Sequence, residues 1–243
     1  MCTWREAWNS TLRSSPRIAL IAGAAIIVAA LLWLVSGCAG SAGSGGSRGG
    51  GSASKEDPDT LYSGIPQNGT TLGKSAAPVT IYLYEDFQCP ACGQFSRNTF
   101  PELVNNYVRD GKVKVVSVTL AFLGPDSVEA ARAAFAAAGQ DHYWPYAQLL
   151  FENQGEENSG YVTDEFLSEL AKDTTGLDVG EWSADLEGSS FSQELQAAQA
   201  KARSSGVDAT PTLVISGPNE QEKLEGLYDY GQISETIEQV DGS

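Results

Sequence analysis

Histidine is nearly absent from this 243-residue chain: His142 stands alone, beside one methionine and four cysteines. That scarcity leaves few ways to build a zinc site or a nucleophile–His–acid triad. Basic residues are also few, 15 Lys and Arg against 31 Asp and Glu, for a net charge of −16. Phosphate binding needs clustered Lys and Arg, so the acidic balance argues against a nucleic-acid partner. What the chain does have is apolar material, 42% of its residues, and a length that holds one substantial domain or two small ones.

The charge is unevenly placed. Residues 1–54 carry Arg5, Arg13, Arg17 and Arg48 against Glu6, while residues 55–243 hold 11 basic and 30 acidic side chains. Between Arg17 and the acidic part lies Ile18–Val35 (IALIAGAAIIVAALLWLV), eighteen residues without a charge. A helix of that length spans about 27 Å, close to the ~30 Å of a bilayer's hydrocarbon layer. Arginines before it and acidic chain after it put residues 1–17 in the cytoplasm and the bulk of the chain outside. Ser36–Ser54 follows, with Gly or Ser at fourteen of nineteen positions. Such a tether reaches roughly 24 Å. Val35-Ser36-Gly37-Cys38 resembles a bacterial lipobox, which makes Cys38 a lipidation candidate; the alternative is a retained single span.

From about Pro78 the pattern turns globular. Val79–Tyr84 (VTIYLY) and Val113–Leu120 (VKVVSVTL) read as strands. A helix is expected from Cys89–Pro90 through Phe95 towards Tyr107. Residues 127–205 are Ala-, Glu- and Gln-rich with helical spacing, interrupted by glycines. Strands return at Leu213–Ser216 and Lys223–Leu227, and a last helix runs from about Tyr230 to Val240. The order is β-α-β, a helical block, then β-β-α.

Phe87-Gln88-Cys89-Pro90-Ala91-Cys92 sets a C-x-x-C where a strand gives way to a helix. The first N–H groups of a helix lack partners and carry partial positive charge, which stabilises a thiolate there. Cys89 is therefore the expected exposed nucleophile, and Cys92, one turn on, the resolving thiol. Pro90 suits the first turn, having no N–H to leave unpaired. A zinc site lacks a second pair, because Cys2 and Cys38 lie at or before the apolar run. A structural disulfide closing so small a loop stabilises little. Two inert core thiols do not suit an oxidising compartment. Far along the chain, Gly206–Val214 (GVDATPTLV) places Pro211 just ahead of a strand, and proline is the residue that permits a cis peptide.

Together these segments resemble the DsbA-like branch of thioredoxin-fold thiol–disulfide oxidoreductases. The resemblance rests on Ala77-Pro78-Val79, Asp86–Cys92, the helical insertion, Val207–Thr212, and Gln140–Tyr146 (QDHYWPY) within that insertion. It implies that Pro211 is cis and lies beside the active-site cysteines, and that Thr210 presents backbone groups to an extended substrate. With Pro90, Ala91 and Phe87 these would line a substrate groove, apolar around Phe87. Two departures stand out. Ala91 replaces the histidine of the family's founding member, which suggests a less oxidising pair. Leu83 occupies the place of a buried Glu found six residues before the first cysteine in many relatives. Strand alternation puts residues 81, 83 and 85 on one face, so Glu85 is expected to move protons to and from Cys92. Asp86 is expected to be structural.

The remaining candidates read as scaffold. His142, Trp182 and Phe191 are expected to pack, and Glu152–Glu157 lacks EF-hand spacing and reads as a solvated loop. The expected fold is α/β: a thioredoxin-like domain over 65–243 with an all-helical insertion at about 127–205. A basic segment (1–17), an apolar span or lipoprotein signal (18–35) and a flexible linker (36–64) precede it. The expected function is extracytoplasmic exchange of a Cys89–Cys92 disulfide with cysteines of exported proteins, as an oxidant. No metal or cofactor is expected beyond that redox-active disulfide, and a membrane quinone-linked oxidase would recycle it. The alternatives are a reductase or isomerase fed by a membrane electron donor, and a non-catalytic client-binding module on the same scaffold.

Overall fold

The computed structural model describes residues 2–3, 57–188 and 190–242; Ile18–Val35, Cys38 and the Gly/Ser segment lie outside them. Strand β1 is Cys2–Thr3, followed by helix α1 (Pro58–Tyr62) and strands β2 (Gln67–Asn68), β3 (Thr71–Leu72) and β4 (Val79–Glu85). Helix α2 (Pro90–Asn98) and helix α3 (Phe100–Leu103), which runs into a π turn at Val104–Val108, lead to β5 (Val113–Thr119). Five helices form the insertion: α4 (Pro125–Ala138), α5 (Tyr143–Glu152), α6 (Asp164–Asp173), α7 (Val179–Leu186) and α8 (Ser190–Ser204). The chain then returns through β6 (Ala209–Thr210), β7 (Thr212–Ser216) and β8 (Gln221–Glu225) to α9 (Tyr230–Asp241).

Six strands form one sheet in the order β2-β3-β5-β4-β7-β8. β4 and β5 run parallel, with Ile81 opposite Val115 and Glu85 opposite Thr119; β4 and β7 run antiparallel, with Leu83 opposite Leu213. β4 and β5 sit centrally because Val and Ile fill them, and both faces of a central strand are covered. On one face Val79, Ile81 and Leu83 join a core with Phe95, Ala131, Tyr143, Ile233 and Ile237. On the other, Tyr84, Val118 and Val214 meet Ala198 and Ala202 of α8. Tyr84 donates to Ser205 Oγ at 2.8 Å, and Lys201 Nζ sits 3.9 Å over the Tyr82 ring, which ties α8 to that face.

The strands, the helical insertion and the C-terminal helix follow the sequence pattern closely. The single helix expected from Pro90 to Tyr107 is instead broken at Thr99, between α2 and α3. Pro101 explains the break, since it supplies no N–H to continue the α2 ladder. Helix α1 lies inside the 36–64 span read as linker, and its Leu61 and Tyr62 are buried in the main core. The packed body therefore begins ahead of residue 65. Trp182 is buried and donates Nε1–H to Ala133 O at 2.9 Å, while Phe191 packs on Phe135. No helix among the described residues is long and apolar enough to cross a membrane.

Candidate active site

The site forms where β4 ends. Asp86, fully buried, accepts four hydrogen bonds: Gln88 N–H at 2.8 Å and the Ser127 hydroxyl on Oδ1, Phe122 N–H at 2.9 Å and Leu123 N–H at 3.3 Å on Oδ2. These bonds fix the turn between strand and helix, a structural role. Burial pushes the Asp86 carboxyl up to about 6, against the pull of those donors. Cys89 is the N-cap of α2, with Pro90 in the first turn, so its sulfur stands at the positive end of the helix. Its carbonyl accepts from Gly93 N–H at 3.1 Å and from Gln154 Nε2 at 3.1 Å.

The facing wall is β6. The Thr210–Pro211 peptide is cis, and the Cys89 thiol donates to Thr210 O at 3.5 Å. The edge beside it accepts an extended strand: β1 pairs antiparallel, Cys2 opposite Thr210 and Thr3 opposite Ala209. Cys89 is 0% exposed and Cys92 1%, so the expected exposed nucleophile is covered in this arrangement. Its sulfur is turned onto the Thr210 carbonyl, and both cysteines belong to the main core. Pro90 is exposed and Ala91 half-buried at the helix tip. Phe87 corrects a second expectation. It is 2% exposed and packs on Phe151 with centroids 5.0 Å apart, so it belongs to the core and does not line a groove. It sits in the turn after β4, and its ring packs inward between Phe151 and Tyr143.

Glu85 is buried and faces the core side of the sheet as expected. Its Oε1 accepts from Ser117 Oγ at 2.7 Å and lies 3.1 Å from the Tyr143 hydroxyl. Burial raises the carboxyl from 4.5 to about 7, against the hydrogen bonds from Ser117 and Tyr143, with Asp86 adding to the rise. Cys92 lies close enough to feel that charge. Burial pushes its thiol well above 9.0, and the hydrogen bond to Cys89 and the charges of Cys89 and Glu85 raise it further. Glu85 and Cys92 are thus two buried titratable groups that feel each other's charge, an arrangement suited to proton exchange between them.

Several site residues escape a reading of the sequence. Gln154 Nε2 also donates to Phe87 O at 2.8 Å, and Gln88 is held by the Asn158 N–H and by Tyr161 OH, each at 2.9 Å. The stretch around Glu152–Glu157 is thus an exposed loop that pins the active-site turn through Gln154. Ser117 and Thr119 did leave a signal: they interrupt a Val-rich strand at spacing two, on the face that carries Val113 and Val115. Among the described residues no His/Cys/Asp/Glu group could hold a metal ion.

A family model described as Thioredoxin matches residues 66–239. The chain is 30% identical over 169 residues to Disulfide bond formation protein D of Bacillus subtilis (strain 168), across 69% of this chain and 74% of that protein. The crystal structure of oxidised BdbD from Bacillus subtilis is similar with a TM-score of 0.64 and 28% identity, covering 74% of this chain and 98% of that one. Chlamydia trachomatis DsbA shares the fold, with a TM-score of 0.62 at 24% identity over 71% of this chain and 91% of that one. With its C-x-x-C at a helix N-terminus facing a cis-proline strand, this chain belongs to the DsbA-like thiol–disulfide oxidoreductases of the thioredoxin fold.

Proposed function

We propose that this enzyme works outside the cytoplasm as a disulfide donor to exported proteins, anchored by Ile18–Val35 or by a lipidated Cys38. The observation that carries the reading is the placement of Cys89 at the start of α2, 3.5 Å from the Thr210 carbonyl on an edge that accepts a strand. An extended client segment pairing with that edge brings its cysteine to Cys89. With a retained span Cys2 and Thr210 lie on opposite sides of the bilayer, and with a lipidated Cys38 the leader that carries Cys2 is cut away, so in both cases the client takes the place of β1. Names of relatives such as Disulfide bond formation protein D support the same direction.

The chemistry runs in two exchanges. A client thiolate attacks Cys89 Sγ of the oxidised enzyme; the Cys89–Cys92 bond breaks and its electron pair leaves on Cys92, which takes a proton from Glu85. The client's second thiolate then attacks the client sulfur of the mixed disulfide, and that bond's pair returns to Cys89 as a thiolate. Two electrons have passed to the enzyme, and the client's thiol protons have gone to solvent. Reoxidation calls for an acceptor of two electrons, and a membrane quinone-linked oxidase has that chemistry. Thr210 and Pro211 shape the groove with Pro90 and Ala91. The Cys92→Ser variant tests the assignment: mixed disulfides between Cys89 and exported proteins are expected to accumulate. Their absence, with Cys89→Ser behaving like Cys92→Ser, would overturn it.

A further inference from the structure

Cys92 and Glu85 are both buried, and a docked client covers the groove above Cys89. The proton that Glu85 gives up must still be replaced from solvent. Three hydroxyls gather at Glu85. Ser117 Oγ lies 2.7 Å from Glu85 Oε1, Tyr143 OH lies 2.6 Å from Ser117 Oγ, and Thr119 Oγ1 lies 2.6 Å from Tyr143 OH. Each hydroxyl has one proton to donate. All three short contacts are satisfied together when Thr119 donates to Tyr143, Tyr143 to Ser117 and Ser117 to the carboxylate. Tyr143 also reaches Glu85 directly at 3.1 Å, a second use of the same proton. The result is a directed chain ending on Glu85.

Thr119, at the outer end, is itself buried at 1% exposure and Ser117 at 5%, yet both border open space. Thr119 and Ser117 line a cavity of about 550 Å³ along the β5 edge, between Phe135 and Ala138 of α4 and Ala198 of α8. The exposed Gly139 and Ala197 stand at its rim. Glu194, Lys201 and Tyr82 are the ionisable groups that line it. Glu194 Oε2 is buried without a hydrogen-bond partner, and burial, with Asp185 nearby, raises that carboxyl. Around Glu85 itself the ionisable neighbours are Asp86, Cys92 and Tyr143, and burial keeps Tyr143 neutral by lifting its phenol well above 10.0.

We propose that Thr119, Tyr143 and Ser117 form a proton relay joining Glu85 to solvent in the β5-edge cavity, so that the proton exchanged with Cys92 travels by the side of the sheet while a client occupies the groove. A proton accepted by Thr119 displaces its own to Tyr143, that of Tyr143 to Ser117 and that of Ser117 to Glu85; the reverse sequence discharges one. No bond other than O–H changes, and no electron moves. The relay rests on the Glu85 reading given above.

The test is single-turnover reduction of the full oxidised chain by a dithiol peptide, in H2O and D2O. Thr119→Val keeps the side chain's shape and leaves the contacts of Glu85 untouched. It is expected to slow the reaction about a hundredfold, at the low end of general acid–base effects, and to enlarge the solvent isotope effect without moving the reduction potential. Tyr143→Phe should slow it similarly, and Thr119→Ser, which keeps the hydroxyl, should retain the wild-type rate. If Glu85→Gln slows the reaction while Thr119→Val and Tyr143→Phe do not, the relay is wrong and the Glu85 reading stands. An unchanged rate in Glu85→Gln sinks both. A loss of rate in Ser96→Ala equal to that in Thr119→Val also overturns the relay, because Ser96 lines a separate cavity of about 10 Å³ that Glu85 also borders.

Discussion

The side-chain amide of Gln154 donates to the carbonyl of Cys89 at 3.1 Å, joining the exposed loop after α5 to the first turn of the active-site helix. A second bond, to Phe87 O at 2.8 Å, makes it a clamp across the turn. The same closeness explains Gly93. A Cβ at that position would strike Gln154 Oε1 and Arg97, although the Gly93 backbone itself is helical. Removing the amide in Gln154→Ala should cost about 1–2 kcal/mol, the net worth of two such bonds. Hydrogen exchange at the Cys89–Cys92 amides is expected to speed up together with that loss. Gly93→Ala should reproduce the effect by displacing Gln154. Exchange rates like wild type in both variants would show that the clamp does not hold the turn.

Asp86 has a heavier task. Asp86→Ala leaves the N–H groups of Gln88, Phe122 and Leu123 and the Ser127 hydroxyl without their acceptor inside the protein. Unsatisfied buried donors cost about 1–3 kcal/mol each before relaxation. A loss of about 3 kcal/mol or more is expected in urea unfolding. A loss below about 1 kcal/mol would mean that water replaces the carboxylate freely.

Glu85 gives the pH dependence, and its sign follows from the raised carboxyl. The native state holds this proton more tightly than the unfolded chain between 4.5 and about 7. The corresponding stability is fully present below 4.5 and is lost as pH rises through about 7. The gap is worth up to about 3 kcal/mol. Glu85→Gln keeps acceptor geometry towards Ser117 and cannot ionise. Wild type and variant should therefore have similar stability at pH 4.5, whereas at pH 8 the variant should be the more stable. Asp86 adds a slope of the same sign over a lower window, ending at about 6, which is common to both proteins. Parallel stability curves for the two proteins would place the ionised Glu85 in a solvated setting.

How much of this could be read from residues alone depends on the range of the interaction. β4 and β5 are legible because Val and Ile alternate within a few positions, and the Cys89 site because strand, Pro90 and cysteine spacing are contiguous. The break at Thr99 was readable in Pro101, whose missing N–H stops the preceding helix. Phe87 reads as a groove residue until the packed insertion sets Phe151 and Tyr143 against its ring. Gln154 is different, because its partners are set by how the insertion folds back on α2, and no local pattern records that. Ser117 and Thr119 lie between: two hydroxyls on the inner face of an apolar strand announce a buried polar group, but only the packed α5 shows that Tyr143 and Glu85 meet them.

The central claim is that the Cys89–Cys92 pair is an oxidant. It is tested most directly by equilibrating the protein with reduced and oxidised glutathione and measuring the reduction potential of that pair. The account predicts a value above the glutathione poise of roughly −220 to −260 mV, and below about −120 mV because Ala91 stands where the founding member has histidine. A value at or below the glutathione poise, near the roughly −270 mV of thioredoxin, would contradict it and make the enzyme a reductase.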